Sequence, residues 1–334
     1  MSEPAAVFPV GGTASPTPRD HFIRLREHLG TCIVGQELLL DRLLIALLAD
    51  GHLLVEGAPG LAKTKAIRAL AGAVEGDDHR IQFTPDLLPA DLTGTDVYRP
   101  EDGSFTFQRG PLFHNLLLAD EINRAPAKVQ SALLEAMAER QVTVGRRTYP
   151  LPALFLVMAT QNPLEHEGTY PLPEAQLDRF LMHIRIDYPS RDSERKILRL
   201  VRDEARGVSS TGVEHVPQSA VFAARREVLE LYMAPALEEY VVQLVLATRS
   251  PSAYGDDLAG LVRCGASPRG TIAIDRASRA HAWLRGADFV TPEDVHAVAK
   301  DALRHRVLLT FEAEADGWSA DSLLDALLGR VPLV

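Results

Sequence analysis

Short apolar runs alternate with longer helical patterns in the first part of the chain. The apolar runs predict strands at residues 52–56, 80–83, 115–119, 154–160 and 182–186. Apolar residues that recur every three or four positions predict helices at residues 36–49, 62–73 and 127–139. Because strands separated by helices form a sheet that is covered on both faces, this pattern predicts an α/β domain with a parallel sheet.

The pattern changes after Pro189, where strand-like runs stop and helical periodicity continues. Helices are predicted at residues 191–206, 220–233, 237–248, 271–284 and 292–305. The last one has a clear start signal: Thr291 can cap it, Pro292 suits the first helical position, and Asp294 places negative charge at the positive end of the helix dipole. A smaller, all-helical domain should follow the sheet domain, with residues 206–218 as the linker between elements.

Composition and charge narrow the function classes. The chain has 334 residues, enough for two domains of about 150 residues each. Lys and Arg together number 35 and Asp and Glu 45, and the resulting net charge of −10 disfavours a protein that coats nucleic acid. Cys32 and Cys264 lie far apart, without a CxxC pair or a histidine at metal-ligand spacing, so neither a zinc site nor a disulfide framework is indicated.

The N-terminal segment and the absence of long apolar runs suggest a location. Residues 1–19 are rich in proline and lack helical periodicity, which predicts a flexible tail before a folded part that begins near Asp20. No apolar run approaches the roughly 20 residues that cross a bilayer, and the N-terminus lacks the basic and apolar regions of a signal peptide. These features predict a cytoplasmic protein without membrane insertion.

A glycine-rich segment joins the first predicted strand to the next helix. It reads Gly57-Ala58-Pro59-Gly60-Leu61-Ala62-Lys63-Thr64. Between a strand and a helix, this spacing predicts a phosphate-binding loop, because glycines let successive N–H groups face phosphate oxygens at a helix N-terminus. Lys63 should contact the β and γ phosphates of ATP, and Thr64 should place its hydroxyl on Mg²⁺. Ala62 stands where a glycine usually precedes the lysine, and its methyl group requires a negative φ there.

Polar residues follow two of the other predicted strands. Asp120 and Glu121 come directly after an apolar run, and Asn162 follows the strand at residues 154–160. Asp120 is a candidate Mg²⁺ ligand, directly or through water, and Glu121 is a candidate base for the attacking water. Asn162 can hydrogen-bond that water or the γ phosphate, although an Asn-Pro pair is also an ordinary strand terminator.

Together, these motifs resemble the AAA+ ATPases and, within them, the MoxR family of the helix-2-insert group. The resemblance extends from about residue 22 to the C-terminus. The matching segments are IVGQE at 33–37, GAPGLAKT at 57–64, LLLADEINRAP at 116–126, ATQNP at 159–163, LPEAQLDRF at 172–180 and GASPRG at 265–270. Alanine at position 62 matches this family's form of the phosphate loop.

The resemblance also implies roles for residues that the composition cannot assign. Arg179 matches the arginine finger, which reaches the γ phosphate held by a neighbouring subunit, and Arg269 matches the sensor 2 arginine of the helical lid. Arg124 is a further candidate at the subunit interface. By the same analogy, Ile33 and Val34 line the adenine pocket, although an apolar pair before a helix can also serve packing alone.

The same resemblance divides the chain into parts. It implies a P-loop core at residues 20–190, with a parallel sheet sandwiched by helices, and a linker and helical lid at residues 191–334. Residues 84–108 match the helix-2 insert, and residues 141–150 match the hairpin before the sensor 1 strand. In related rings such loops face the central opening, but a hairpin can also simply connect two elements.

Three functions remain open from the sequence. The first is an ATP-hydrolysing chaperone that works as a homo-oligomer, expected to be a hexameric ring, and remodels or activates a protein partner such as a von Willebrand factor A domain protein. The second is a nucleic-acid motor, and the third is a metal-chelatase-type ATPase subunit of the same group. The net charge of −10 and the lack of a recognisable zinc or helix-turn-helix module favour the chaperone.

Overall fold

The computed structural model describes residues 16–163, 168–207 and 215–333. Most of the predicted tail, and residues 208–214 of the predicted linker, lie outside these ranges. The expected tail boundary at residue 19 falls inside a helix that the apolar pattern did not indicate, Pro18–Cys32. Only Phe22, Leu25 and Leu29 of this helix are buried, and so sparse an apolar stripe gives a weak periodic signal.

Eleven strands form within the described residues, and they include the five that the apolar runs predict. They are β1 (Leu53–Glu56), β2 (Asp78–Gln82), β3 (Gly94–Arg99), β4 (Ser104–Arg109), β5 (Leu116–Asp120), β6 (Gln141–Val144), β7 (Arg147–Pro150), β8 (Leu156–Gln161), β9 (Met182–Arg185), β10 (Val262–Cys264) and β11 (Leu308–Leu309). The five strands predicted for the main sheet correspond to β1, β2, β5, β8 and β9.

Helices cover the sheet and build the second domain. Within the described residues they are α1 (Pro18–Cys32), α2 (Glu37–Leu48), α3 (Lys63–Ala71), α4 (Pro89–Thr93), α5 (Ala127–Glu139), α6 (Glu174–Leu177), α7 (Arg191–Ala205), α8 (Gln218–Glu230), α9 (Pro235–Arg249), α10 (Pro268–Leu284), α11 (Pro292–Leu303), α12 (Phe311–Ala315) and α13 (Ala320–Arg330). None of these helices combines the length and the hydropathy that crossing a bilayer requires.

The main sheet has the strand order β2-β5-β8-β1-β9, and all of its pairs are parallel. Leu53 pairs with Met182 where β1 and β9 begin, and Glu56 pairs with Gln161 where β1 and β8 end. Gln82 likewise pairs with Asp120 where β2 and β5 end. The parallel order therefore gathers the carboxyl ends of β1, β2, β5 and β8 along one edge.

Alternating side chains of the sheet build two hydrophobic cores. Leu53 and Val55 face one core, shared with α1, α2, α3 and the helical domain, whereas Leu54 faces the other core beside α5. Successive residues of a strand point to opposite faces, so a strand buried on both faces reads as a continuous apolar run. The structure thereby confirms the predicted parallel sheet covered by helices.

Two antiparallel hairpins project from the sheet domain. One pairs β3 with β4 over residues 94–109, one residue beyond the predicted insert at 84–108, and the other pairs β6 with β7 within residues 141–150. The rings of Phe107 and Tyr149 stack between them, with centroids 4.1 Å apart. Tyr98 and Phe105 pack against each other at 5.2 Å on the first hairpin and remain largely exposed.

In the described part of the second domain, the strands are the short pair β10 and β11, which are too brief to give an apolar pattern, and the other long elements are helices. The predicted start of α11 is confirmed by a capping box, in which Asp294 accepts a hydrogen bond from Thr291 N at 2.8 Å. Helix α10 begins three residues earlier than expected, because Ser267 caps it by accepting a hydrogen bond from Arg269 N at 3.1 Å. Arg269 therefore lies in the first turn of α10.

A buried arginine fastens the helical domain to the sheet domain. The Arg306 side chain, only 3% exposed, donates from Nε to Asp178 Oδ1 at 2.8 Å and from Nη2 to the Phe180 carbonyl at 2.6 Å. Asp178 also accepts a hydrogen bond from Ser267 Oγ at 2.8 Å. A buried guanidinium is tolerated when carboxylate and carbonyl oxygens satisfy its donors. These bonds hold the segment before β9 against the start of α10.

We expect acid to destabilise the fold through His52. This buried side chain accepts a hydrogen bond from Val157 N at its Nδ1, at 3.0 Å, and burial lowers its pKa to about 3. The unfolded chain takes up a proton near the ordinary pKa of about 6.5, whereas the folded chain does not. Stability from this group is therefore complete above about pH 6.5 and is lost as the pH falls, by about 2 kcal/mol at pH 5.

Denaturant unfolding at pH 8 and pH 5 measures this effect. In a His52→Gln variant, the fall in the free energy of unfolding from pH 8 to pH 5 should be smaller than in the wild type by about 2 kcal/mol. A His215→Gln variant, changed at an exposed position, should behave as the wild type. If His52→Gln and the wild type lose the same free energy of unfolding on acidification, His52 is not the group responsible.

Candidate active site

Residues 57–64 form the loop between β1 and α3, as the sequence predicts. A side chain at Gly57 would place its Cβ 2.5 Å from Ile186 Cγ1, so the loop can pass this point only as glycine. Gly60 has a φ of +84°, a conformation that glycine adopts without strain. Lys63 and Thr64 follow as the first residues of α3, where the N-terminal N–H groups of the helix can receive an anion.

Ala62 departs from the expected backbone conformation. Its φ is +59°, in the left-handed region, so the prediction of a negative φ is wrong. For an alanine this conformation costs about 1 kcal/mol. Two contacts hold it in place: the Ala62 carbonyl accepts the first helical hydrogen bond from Ala66 N at 2.9 Å, and its methyl group packs against the main core. The alanine therefore occupies a position that the general motif gives to glycine, and keeps the glycine conformation.

The Lys63 ammonium lies back against its own loop. Nζ donates to the Gly57 carbonyl at 2.5 Å and to the Ala58 carbonyl at 3.3 Å. Burial lowers the Lys63 pKa, and the nearby carboxylates of Asp120 and Glu121 oppose that shift. The ammonium is thus a half-buried cation held by carbonyl dipoles, and phosphate oxygens can replace those acceptors with stronger, charge-assisted bonds.

Asp120 ends β5 as a buried carboxylate whose two oxygens both accept hydrogen bonds. Thr160 Oγ1 donates to Oδ1 at 2.6 Å, and Arg80 donates to Oδ2 from Nη2 at 2.7 Å and from Nε at 3.1 Å. Arg80 was not among the residues predicted for the site. The feature that could have indicated Arg80 is its position on β2, which pairs with the strand that ends in Asp120. A charged residue on an edge strand is, however, also typical of a face exposed to solvent.

Glu121 follows in the left-handed conformation, with a φ of +57°. Its Oε2 accepts from Gln82 Nε2 at 2.6 Å and from Arg124 Nη1 at 3.0 Å. Its backbone N–H donates to Thr160 Oγ1 at 2.9 Å. A strained backbone at a polar site is typical of a functional residue. Gln82, like Arg80, is a site residue that the sequence patterns did not indicate, and Arg124 contacts the carboxylate of its own chain.

These side chains surround one cleft of about 410 Å³ at the carboxyl edge of the sheet. The cleft brings together the predicted residues Pro59, Gly60, Leu61, Ala62, Lys63, Thr64, Asp120, Glu121 and Asn162, and adds Lys65, Arg80 and Gln82. Asn162 is buried at this edge because it follows β8, the neighbour of β5. Cations, carboxylates and two amides thus converge on a space in which a phosphate chain fits.

Four other predicted residues do not line this cleft. Gly57 and Ala58 line an adjoining cavity of about 270 Å³ beside Tyr188. Ile33 is buried in the main core, and Val34 is half-buried beside it. Neither Ile33 nor Val34 is among the residues around Lys63.

Arg179 and Arg269 lie together, but at the opposite edge of the sheet. Arg179 precedes β9, whose first residue Met182 pairs with Leu53 at the start of β1. Both arginines line a cavity of about 330 Å³ that shares no lining residue with the cleft at Lys63. Arg179 Nη1 donates to the Leu134 carbonyl at 2.6 Å, and Arg269 Nη1 lies 3.7 Å from Asp178 Oδ2.

Comparison with known proteins shows which families the chain is similar to. The family described as "ATPase family associated with various cellular activities (AAA)" matches residues 52–182, and the AAA lid domain matches residues 259–327. Chaperone MoxR1 of Mycobacterium tuberculosis is 47% identical over 99% of this chain and 88% of its own length. Protein MoxR of Paracoccus denitrificans is 35% identical over 91% of this chain and 94% of its own length.

A solved structure extends the agreement to three dimensions. A crystal structure of a presumed ATPase from Cytophaga hutchinsonii is 45% identical and superposes with a TM-score of 0.88, covering 95% of this chain and 96% of the other. The fold is therefore that of an AAA+ domain followed by an AAA lid domain. Near full-length identity to the MoxR proteins, together with this fold, shows that the chain belongs to the MoxR family of AAA+ ATPases.

Proposed function

We propose that this chain is a Mg²⁺-dependent ATPase that works as a ring oligomer and uses ATP hydrolysis to remodel a protein partner. The observation that carries the proposal is the arrangement of two half-sites on opposite edges of one sheet. Lys63, Asp120 and Glu121 surround a cleft at the carboxyl edge, whereas Arg179 and Arg269 line a cavity at the amino edge.

The cleft has the groups that bind and hydrolyse ATP. Lys63 and the N-terminus of α3 bind the phosphates, because an ammonium and free helix N–H groups both attract anions. The Thr64 hydroxyl and the Asp120 carboxylate are oxygen donors of the kind that Mg²⁺ prefers, and they would hold this ion. When bound, Mg²⁺ supplies positive charge at the phosphate oxygens.

Glu121 is the base that we assign to the attacking water, and Asn162 orients that water or the γ phosphate. Gln82 and Arg124 both donate to Glu121 Oε2. No residue of the described ranges donates to Oε1, so Oε1 is the oxygen that we assign to the water molecule.

Hydrolysis by this arrangement calls for a second copy of the chain. The Cα atoms of Leu53 and Glu56 mark the two ends of β1 and lie about 10 Å apart along the strand. Arg179 and Arg269 lie beyond its amino end, and the phosphate loop begins beyond its carboxyl end. These arginines therefore face away from the ATP of their own chain, and we assign them to the ATP of a neighbour.

This division between copies favours a ring. A contact between the cleft of one copy and the arginine cavity of the next is head to tail, and such contacts form a closed ring when the rotation between copies closes. A hexamer is the expected ring. The relative named Chaperone MoxR1 supports a protein as the substrate of remodelling.

The hairpins β3–β4 and β6–β7 are our candidates for contacting the client protein. Tyr98 and Phe105 are 53% and 66% exposed, and aromatic side chains on a protruding hairpin offer apolar area to an extended segment. A von Willebrand factor A domain protein is the client class that we propose. The net charge of −10 favours a protein over nucleic acid as the substrate.

Capture of the client tests this proposal. A Glu121→Gln variant, loaded with ATP and mixed with extract from its own cells, should retain a specific protein that the same variant loaded with ADP releases. ATPase stimulation by DNA or RNA, with a steep dependence on salt and without protein capture, would instead identify a nucleic-acid motor. Capture of chelatase subunits would identify the third function considered above.

A further inference from the structure

The cavity at the amino edge of the sheet carries more positive charge than its own carboxylates balance. Among the residues that the structure describes, it is lined by five arginines, Arg140, Arg179, Arg269, Arg276 and Arg306, and by two acidic residues, Asp50 and Asp178. Guanidinium groups that face one cavity repel each other unless an anion lies between them. The cavity therefore suits a ligand with several negative charges.

Both acidic residues of the cavity already have partners. Asp50 Oδ1 accepts from Arg140 Nη2 at 2.8 Å and lies 2.7 Å from Arg225 Nη1. Asp178 is held by the buried Arg306, at 2.8 Å. Arg140 and Arg306 are thus neutralised within the chain, and the positive charge left over is that of the other three arginines.

Arg276 is the least engaged of these three. Arg179 bonds to a carbonyl, and Arg269 lies 3.7 Å from Asp178. Arg276 is exposed, and within the described ranges its side chain makes no ion pair or hydrogen bond. Arg279, one turn further along α10, differs in kind, because Asp275 and the Leu231 carbonyl hold its guanidinium.

Helical spacing places Arg276 on the same face of α10 as Arg269. Residues 269, 272, 273 and 276 all line the cavity, which is the i, i+3, i+4, i+7 pattern of one helix face. Seven residues separate the two Cα atoms by about 10 Å along the axis. Two extended arginine side chains can bridge that separation, so both can reach one elongated anion.

We propose that Arg276 is a third arginine that contacts the phosphate chain of the ATP bound by the neighbouring copy, beside Arg179 and Arg269. This inference rests on the proposed function, because it requires the cleft of one copy to face the cavity of the next. A nucleoside triphosphate has the several negative charges that the unbalanced arginines call for.

Steady-state hydrolysis of ATP by single variants is the first test. Arg276→Ala should lower kcat/KM about ten- to hundredfold, the loss of a charged hydrogen bond. Arg276→Lys should fall between this variant and the wild type, because lysine keeps the charge but not the planar fork. Arg226→Ala is the matched control, since Arg226 is exposed on α8, away from the cavity. If Arg276→Ala stays within about twofold of this control, the proposal is overturned.

Two further measurements show whether Arg276→Ala loses activity through the nucleotide or through assembly: one varies the protein concentration, and the other mixes two variants. Activity of Arg276→Ala should stay low at concentrations where the wild type is fully assembled; full recovery would mean that Arg276 binds the partner protein rather than its nucleotide. Mixing Arg276→Ala with Glu121→Gln should restore hydrolysis, because the second variant supplies an intact Arg276 to the first.

A parallel mixture separates the two proposals. If Glu121→Gln restores hydrolysis to Arg179→Ala but not to Arg276→Ala, the active site is shared between copies, and the proposed contact of Arg276 with ATP is wrong. If neither variant is rescued in oligomers shown to be mixed, the proposed sharing itself fails.

Discussion

Replacing Glu121 with Gln should reduce ATP hydrolysis at least about a hundredfold while leaving ATP binding intact. The amide has the same shape as the carboxylate but cannot take a proton from water. The groups that bind the phosphates are untouched, because Lys63 bonds to the loop carbonyls and not to Glu121. Gln82 and Arg124 donate to the same oxygen, and the oxygen of the introduced amide can accept both bonds in that position, so the local structure should persist.

Release of phosphate measures the expected loss of hydrolysis, and binding of a fluorescent ATP analogue measures the expected retention of ATP binding. Glu135→Gln is the matched control, since Glu135 is an exposed carboxylate on α5, away from the cleft. It should hydrolyse ATP as the wild type does. Hydrolysis by Glu121→Gln at a rate near that of the control would remove Glu121 from its assigned role, and loss of analogue binding would show that it holds the nucleotide instead.

Most of the cleft could be predicted because its residues lie in short motifs next to elements of clear type. A strand, a glycine-rich loop and a helix follow one another around Lys63, so local pattern alone sets their geometry. Asp120 and Asn162 needed one further step, that parallel strands end at a common edge. The order of those strands is set by long-range pairing, and the local pattern does not encode it.

The residues that were missed depend on such long-range placement. Arg80 and Gln82 alternate with Ile81 on β2, and this alternation looks like an ordinary strand with one solvated face. Only the pairing of β2 with β5 turns that face toward Asp120 and Glu121.

Other departures arise from packing that overrides local preference. Ala62 adopts the left-handed conformation because the loop and the first turn of α3 are fixed on both sides of it. Arg306 follows directly after a helical pattern and carries no motif, yet it binds the segment that precedes β9. The burial of such an arginine cannot be predicted from the local sequence, because it depends on partners that only the fold brings to it.

Replacing Arg179 with Ala should abolish measurable hydrolysis, with a loss of about a thousandfold, because an arginine finger stabilises the charge that develops on the transferred phosphate. ATP binding should remain, since Arg179 lies at the amino edge of the sheet and the phosphate loop at the carboxyl edge. The variant loses one internal bond, to the Leu134 carbonyl, so its melting temperature should be compared with that of the exposed control Arg226→Ala.

Mixing Arg179→Ala with Glu121→Gln tests whether the two residues act on the same ATP from different copies. Arg179→Ala keeps Glu121 but lacks the finger, and Glu121→Gln keeps the finger but lacks the base, so each alone should be inactive. In a mixed oligomer, the cleft of the first variant meets the finger of the second, and one complete site forms at each such contact. Hydrolysis should therefore reappear on mixing and should rise with the fraction of mixed contacts. Mixed oligomers that stay inactive would mean that Arg179 acts within its own chain, which the separation of the two edges by β1 argues against.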